Sequence, residues 1–154
     1  MNVGAGTDAT RVASYDPWNA LYWLITGKTL GDLSLYPAAN LVDRETALRL
    51  YTQANTWFSN EQGIKGQIKV GQYADLAVLS ADYFGIPESE IRQLVSVLTM
   101  VGGRIVYGDD EFSTLSPFLP PAMPDWSPVN RFGGYFKPAA GATKLHPFAQ
   151  TVCG

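Results

Sequence analysis

The 154-residue sequence contains one cysteine, Cys153, and one histidine, His146. A single thiol excludes an intrachain disulfide. A single imidazole excludes a zinc site built from several histidines. A nucleophile–histidine couple would have to use His146, which precedes a proline in a polar, Gly-rich stretch and reads as a solvated loop residue. Charge is also scarce: 16% of residues are Asp, Glu, Lys or Arg, against about 25% in typical globular domains, which excludes a charge-rich disordered chain. Eleven basic and fourteen acidic residues, spread without runs, give a net charge of −3 and no electrostatic footprint for nucleic acid. No apolar run approaches the roughly 18 residues needed to span a bilayer, and the Gly-rich start lacks a signal-peptide pattern. The chain reads as cytoplasmic, with neither nucleic acid nor membrane as a partner.

What is present suits one domain or a compact part of one: 46% hydrophobic and 12% aromatic residues, enough to bury a core. Val3 to Ala9 reads as a short, buried, small-residue strand running into a loop. Asp16-Pro17 signals a helix start, with Asp16 as cap and Pro17 at the first helical position. Trp18 to Ile25 is apolar nearly all round, as in a helix covered on several sides, and Gly27 is its stop. A loop follows to Asn40. Asp43 caps a second helix expected over 44–58, whose Leu48, Tyr51, Ala54, Trp57 and Phe58 form a core-facing stripe. The period then changes. Segments 64–70, 74–79, 95–101 and 104–107 are short, β-branched and bounded by glycines, hence strands. Val101-Gly102-Gly103-Arg104 predicts a tight hairpin, and Pro87 to Ile91 one helical turn. From Glu111 onward lie seven of the ten prolines, seven aromatics including Trp126, Tyr135 and Phe136, and only five charged residues. Low charge with many rings argues for an irregular segment laid over a surface rather than a free tail.

Gly4-Ala5-Gly6 does not make a phosphate loop. Ala9 stands where a dinucleotide fingerprint needs its third glycine, and no Gly-Lys-Ser/Thr follows. Small residues here let the backbone pass close to its neighbours. Asp8 has two readings: a satisfied loop aspartate, or a carboxylate at the end of a buried strand, where α/β barrels place catalytic groups. Asp75, opening a strand after Gly71-Gln72, reads as an aspartate that ties down turn amides.

Five stretches shift the weight between the two readings of Asp8, the run from Lys65 to Leu79 being the most specific. Gly6-Thr7-Asp8-Ala9, Asp16-Pro17-Trp18 and Thr46-Ala47-Leu48-Arg49-Leu50-Tyr51-Thr52 resemble the amidohydrolase superfamily in order and spacing. The run from Lys65 to Leu79 (KGQIKVGQYADLAVL) resembles that superfamily's signature, and Val101 to Tyr107 resembles the hairpin closing its small β-domain. The nearest subgroup is amidohydrolase family 3, metal-dependent hydrolases of C–N bonds such as N-acyl and N-formyl amines. The resemblance covers about residues 3 to 110.

The resemblance implies a mixed α/β chain corresponding to the C-terminal third of such an enzyme. Residues 1–62 would be the end of a TIM-like barrel, its last strand and following helices. Residues 63–110 would be the C-terminal part of a composite β-sandwich, with 111–154 as the irregular tail. Only Asp8 maps to a catalytic position. It would bind a divalent metal, zinc by the resemblance, or its hydroxide, and shuttle the water's proton to the leaving nitrogen. The remaining metal ligands would come from the rest of the parent barrel, so this chain alone is expected to be inactive and to bind no catalytic metal. One departure stands out: Thr10-Arg11 follow where the family often has a proline. Arg11 is either a weak candidate for recognising a substrate anion or a solvated loop cation, and the second is preferred. Two other readings remain: a stand-alone non-catalytic interaction module, and a phosphate binder using Gly4 to Thr7. Uncovered helix faces and strand edges predict self-association to a homodimer.

Overall fold

In the computed structural model of the chain, residues 1–9, 14–29, 31–118 and 125 are described. Met1–Pro117 form one compact unit. Arg11, Trp126, Tyr135, Phe136, His146 and Cys153 lie outside the described residues.

The first helix, α1 (Pro17–Thr26), starts and stops where its local chemistry dictates. The Asp16 carboxylate accepts from the Trp18 N–H at 3.0 Å, and Pro17 fills the first helical position. At the other end Gly27, at φ +66°, donates its N–H to the Trp23 carbonyl at 2.8 Å. Leu21, Tyr22 and Ile25 are buried, whereas Trp23 is exposed.

The second helix is shorter than its periodicity suggests. Helix α2 (Arg44–Tyr51), capped by Asp43 through the Thr46 N–H at 2.7 Å, breaks at Thr52, and Gln53–Trp57 continues as a 3-10 helix. The tighter winding rotates the stripe away from the core. Ala47 is buried and Leu48 and Tyr51 half-buried, but Trp57 and Phe58 are exposed and stack on each other at 5.1 Å.

Three antiparallel strands form a meander: β1 (Leu76–Leu79), β2 (Ser96–Val101) and β3 (Arg104–Gly108). Gly102 and Gly103, at φ +56° and +77°, make the β2–β3 turn, which needs two positive-φ residues to match strand twist. Asp75 accepts from the Gly102 N–H at 2.7 Å, so this aspartate ties down a turn as expected, across the sheet rather than locally. Glu88–Gln93 is the expected helical turn between strands, wound as a 3-10 helix.

Two expected strands are absent. Segment 64–70 is a series of turns, with Ile68 and Val70 fully exposed. It closes on itself through the Tyr73 N–H to the Ile64 carbonyl and the Gln67 N–H to Gln72 Oε1. Val3 to Ala9 is not a buried strand either, and Val3 is exposed. A strand requires a neighbour's ladder, and no described strand lies beside either segment.

The core joins Leu21, Tyr22 and Ile25 of α1 to Ala47 of α2 and to Tyr83, Ile91 and Leu94. Arg44 clamps the far side, donating to the Tyr83 and Ile86 carbonyls at 2.6 and 2.7 Å, while Tyr83 Oη donates to the Arg44 carbonyl at 3.0 Å. The architecture is thus mixed, a helical core together with a three-stranded sheet. Among the described residues no helix is long and apolar enough to cross a membrane.

Candidate active site

The segment carrying Asp8 is held by the end of α2. The Ala5 N–H donates to the Leu50 carbonyl at 3.0 Å, and Asn55 Nδ2 donates to the Ala5 carbonyl at 2.9 Å. Both backbone groups of Ala5 are therefore satisfied outside any sheet. Gly4 permits the approach: a Cβ there would fall on the Asn55 side chain and 2.9 Å from Phe58 Cε2. Three residues past Ala5, Asp8 adopts φ +51° and is exposed, a left-handed conformation that aspartate tolerates better than most residues.

A second wall comes from the hairpin after α1. Lys28 bridges to Ser34, the Thr29 N–H donates to the Leu33 carbonyl at 3.0 Å, and the Leu35 N–H donates to the Gly27 carbonyl at 2.9 Å. Two contacts fasten the hairpin to α1: Tyr22 Oη donates to Asp32 Oδ1 at 3.0 Å, and Trp23 packs on Tyr36 at 5.5 Å. Arg92 lies 5.2 Å from the centroid of the Tyr22 ring.

Between these walls lies a cleft of about 740 Å³, bordered by Gly4 to Asp8, one side of α1, the hairpin and Tyr51. Its apolar lining includes Trp23, Leu24 and Leu35; its polar groups include Asp8, Ser14, Asn19, Lys28, Thr29 and Tyr51. Asn19 Nδ2 is engaged by Asp16 Oδ2 at 2.7 Å. Burial raises the Tyr51 phenol above its ordinary value, so it stays a neutral hydroxyl at physiological pH. Neither Asp8 nor Lys28 forms an ion pair among the described residues, although both border the cleft.

Among the described residues no three His, Cys, Asp or Glu side chains come together. Asp8 by itself does not fit a catalytic metal, which takes at least three protein ligands. The sequence singled out Asp8, and it does border the cleft; Arg11, the other candidate, lies outside the described residues. Lys28, Thr29 and Tyr51 were missed as site residues. In the sequence Tyr51 falls in the core-facing stripe and in the resembling stretch 46–52 without any site signal of its own, and the signal for Lys28, a cation directly after the helix stop at Gly27, is weak without the hairpin that folds it back.

Comparison with known proteins gives consistent findings. Residues 1–107 match the model of the "Amidohydrolase family". Over 61 residues, 40% of the chain, the sequence is 34% identical to a Bacillus subtilis (strain 168) protein named "Putative amidohydrolase YtcJ", of which the match spans 12%. No solved structure matches.

Proposed function

The chain belongs to the amidohydrolase family, and from that premise we propose that it is part of a longer hydrolase that cleaves a non-peptide, amide-like C–N bond with Asp8 as its proton-transferring carboxylate. Membership supports hydrolase chemistry in general. In the proposed arrangement Val3 to Thr7 is the last strand of a TIM-like barrel, α1 follows it, and β1 to β3 contribute to a composite β-sandwich. The observation that carries the role of Asp8 is its position: an exposed carboxylate without an ion-pair partner among the described residues, bordering the 740 Å³ cleft. In the longer hydrolase, pairing of Val3 to Thr7 with a preceding barrel strand would put Asp8 at a strand end, where barrels carry their catalytic residues.

Amide hydrolysis requires two proton movements. As the water oxygen bonds to the carbonyl carbon, a carboxylate takes the water's proton. As the C–N bond breaks, the same group returns that proton to nitrogen, releasing an amine and a carboxylic acid. Asp8 is suited to both movements. The divalent metal that the resemblance implies, zinc, would need ligands from beyond the described residues, and the proton route assigned to Asp8 involves no other group of this chain.

In the full-length parent, Asp8→Asn is expected to lower kcat by about 10²–10⁴-fold with an unchanged melt, because the amide keeps the shape but cannot carry the proton. A near-normal kcat would remove Asp8 from the reaction. The 154-residue chain alone is expected to hydrolyse no N-acyl amine and to hold no stoichiometric zinc. Elemental analysis finding one tight zinc per chain, lost in Asp8→Ala, would overturn the placement of the other ligands elsewhere.

A further inference from the structure

The cleft carries opposite charges that do not neutralise each other. Asp8 and Lys28 both border it, and neither makes an ion pair among the described residues. Lys28 is not on a loose loop: its hairpin is tied by the Lys28–Ser34 bridge, by the Leu35 N–H to the Gly27 carbonyl, and by Tyr22 to Asp32. The adjoining Thr29 Oγ1 accepts from the Leu33 N–H at 3.2 Å; a hydroxyl that accepts still has its proton to donate. The lining of the same cleft includes the apolar side chains of Trp23, Leu24 and Leu35.

We infer that the cleft takes a substrate bearing a carboxylate on an apolar body, with Lys28 and the Thr29 hydroxyl holding the carboxylate while the Asp8 loop meets the C–N bond. This rests on the proposed hydrolase reading and adds the substrate class to it. One ammonium and one hydroxyl match a monoanion, whereas phosphate sites draw on guanidinium forks or several converging backbone N–H groups. These apolar side chains supply area for a hydrocarbon or aromatic portion. A simpler role for Lys28, a cation placed just beyond the C-terminus of α1 to complement its dipole, would stabilise the fold without selecting any ligand.

Titration calorimetry on the 154-residue chain separates the two roles, with 4-phenylbutyrate and its neutral amide as probes. The carboxylate should bind about 10-fold more tightly than the amide, as a charge-assisted contact allows, and the preference should shrink as salt is added. Lys28→Met should abolish the preference while the amide binds as before, and Lys28→Arg should keep most of it. Equal binding of the two probes, binding of neither, or a preference that survives Lys28→Met would overturn the inference. Inorganic phosphate displacing the probe as well as carboxylates do would overturn the choice of a monoanion. Asp8→Asn should leave the preference standing, so an Asp8 variant with normal turnover in the parent would refute the reaction without touching the anion site.

Discussion

At the scale of single residues, Tyr83 ties its own ionisation to the stability of the fold. Burial pushes its phenol up to about 12, with the Arg44 guanidinium drawing it down and Asp43 pushing it up. In the unfolded chain the same phenol would titrate at its ordinary value of 10.0. The folded state therefore keeps the proton to higher pH than the unfolded state. Stability is complete below about pH 10, then falls as pH rises towards 12. Denaturant titrations across that window should show a shallower alkaline decline in Tyr83→Phe, together with lower stability at neutral pH from loss of the bond to the Arg44 carbonyl. An unchanged slope would assign the decline to Tyr22 or Tyr51, whose pKa values burial also raises. The Tyr83–Arg44 pair was not legible in the sequence, because its partners are 39 positions apart and neither lies in a motif. Asp8 was legible for the opposite reason: it sits inside a run whose order and spacing carry information. Lys28 became a site residue only when the hairpin placed it beside the same cleft.

At the scale of elements, the division is between local and borrowed order. Helix α1 is written in its own residues: Asp16 caps it, Pro17 opens it and Gly27 ends it. Asp16 also accepts from Asn19 Nδ2, so Asp16→Ala removes a cap and this second hydrogen bond. It should cost about 1 kcal/mol, read as a lower denaturation midpoint with an unchanged m-value. A loss of less than a few tenths of a kcal/mol would mean that packing alone holds the helix start. The hairpin of β2 and β3 is local in the same sense, since Gly102 and Gly103 set its turn. Segment 64–70 shows the other case. Its alternation of Ile64, Ile68 and Val70 with polar residues reads as a strand, yet strand formation depends on a ladder that the segment cannot supply itself. Helix α2 lies between the cases: the apolar period extends to Phe58, but the backbone leaves the α-helical region at Thr52, at φ −116° and ψ −90°. Periodicity records which residues are apolar; the winding decides which of them face the core.

For the whole molecule, the consequence of that borrowed order is exposed apolar surface. Ile68 and Val70 are fully exposed, at 92% and 102%, and Phe58, Tyr73 and Phe84 are more than half exposed. Extended apolar surface is uncommon on soluble monomers, and β1 and β3 present edges that no other described strand covers, a template for strand pairing between chains. The expected outcome is self-association of the chain at micromolar concentration, seen in sedimentation velocity as a dimer or larger species that persists at high salt. Replacing Ile68 with Lys and Val70 with Glu should shift the distribution towards monomer while leaving the melt in place, because fully exposed side chains contribute little packing within the chain. A clean monomer with a cooperative melt would instead favour the stand-alone interaction module, whose apolar residues await a different partner. In a longer hydrolase, strands from the rest of the protein would cover the Ile68–Val70 face. Adding the full-length parent to the experiment therefore separates the two: it should be monomeric at that face, and the Ile68 and Val70 replacements should there destabilise the fold rather than merely disperse it.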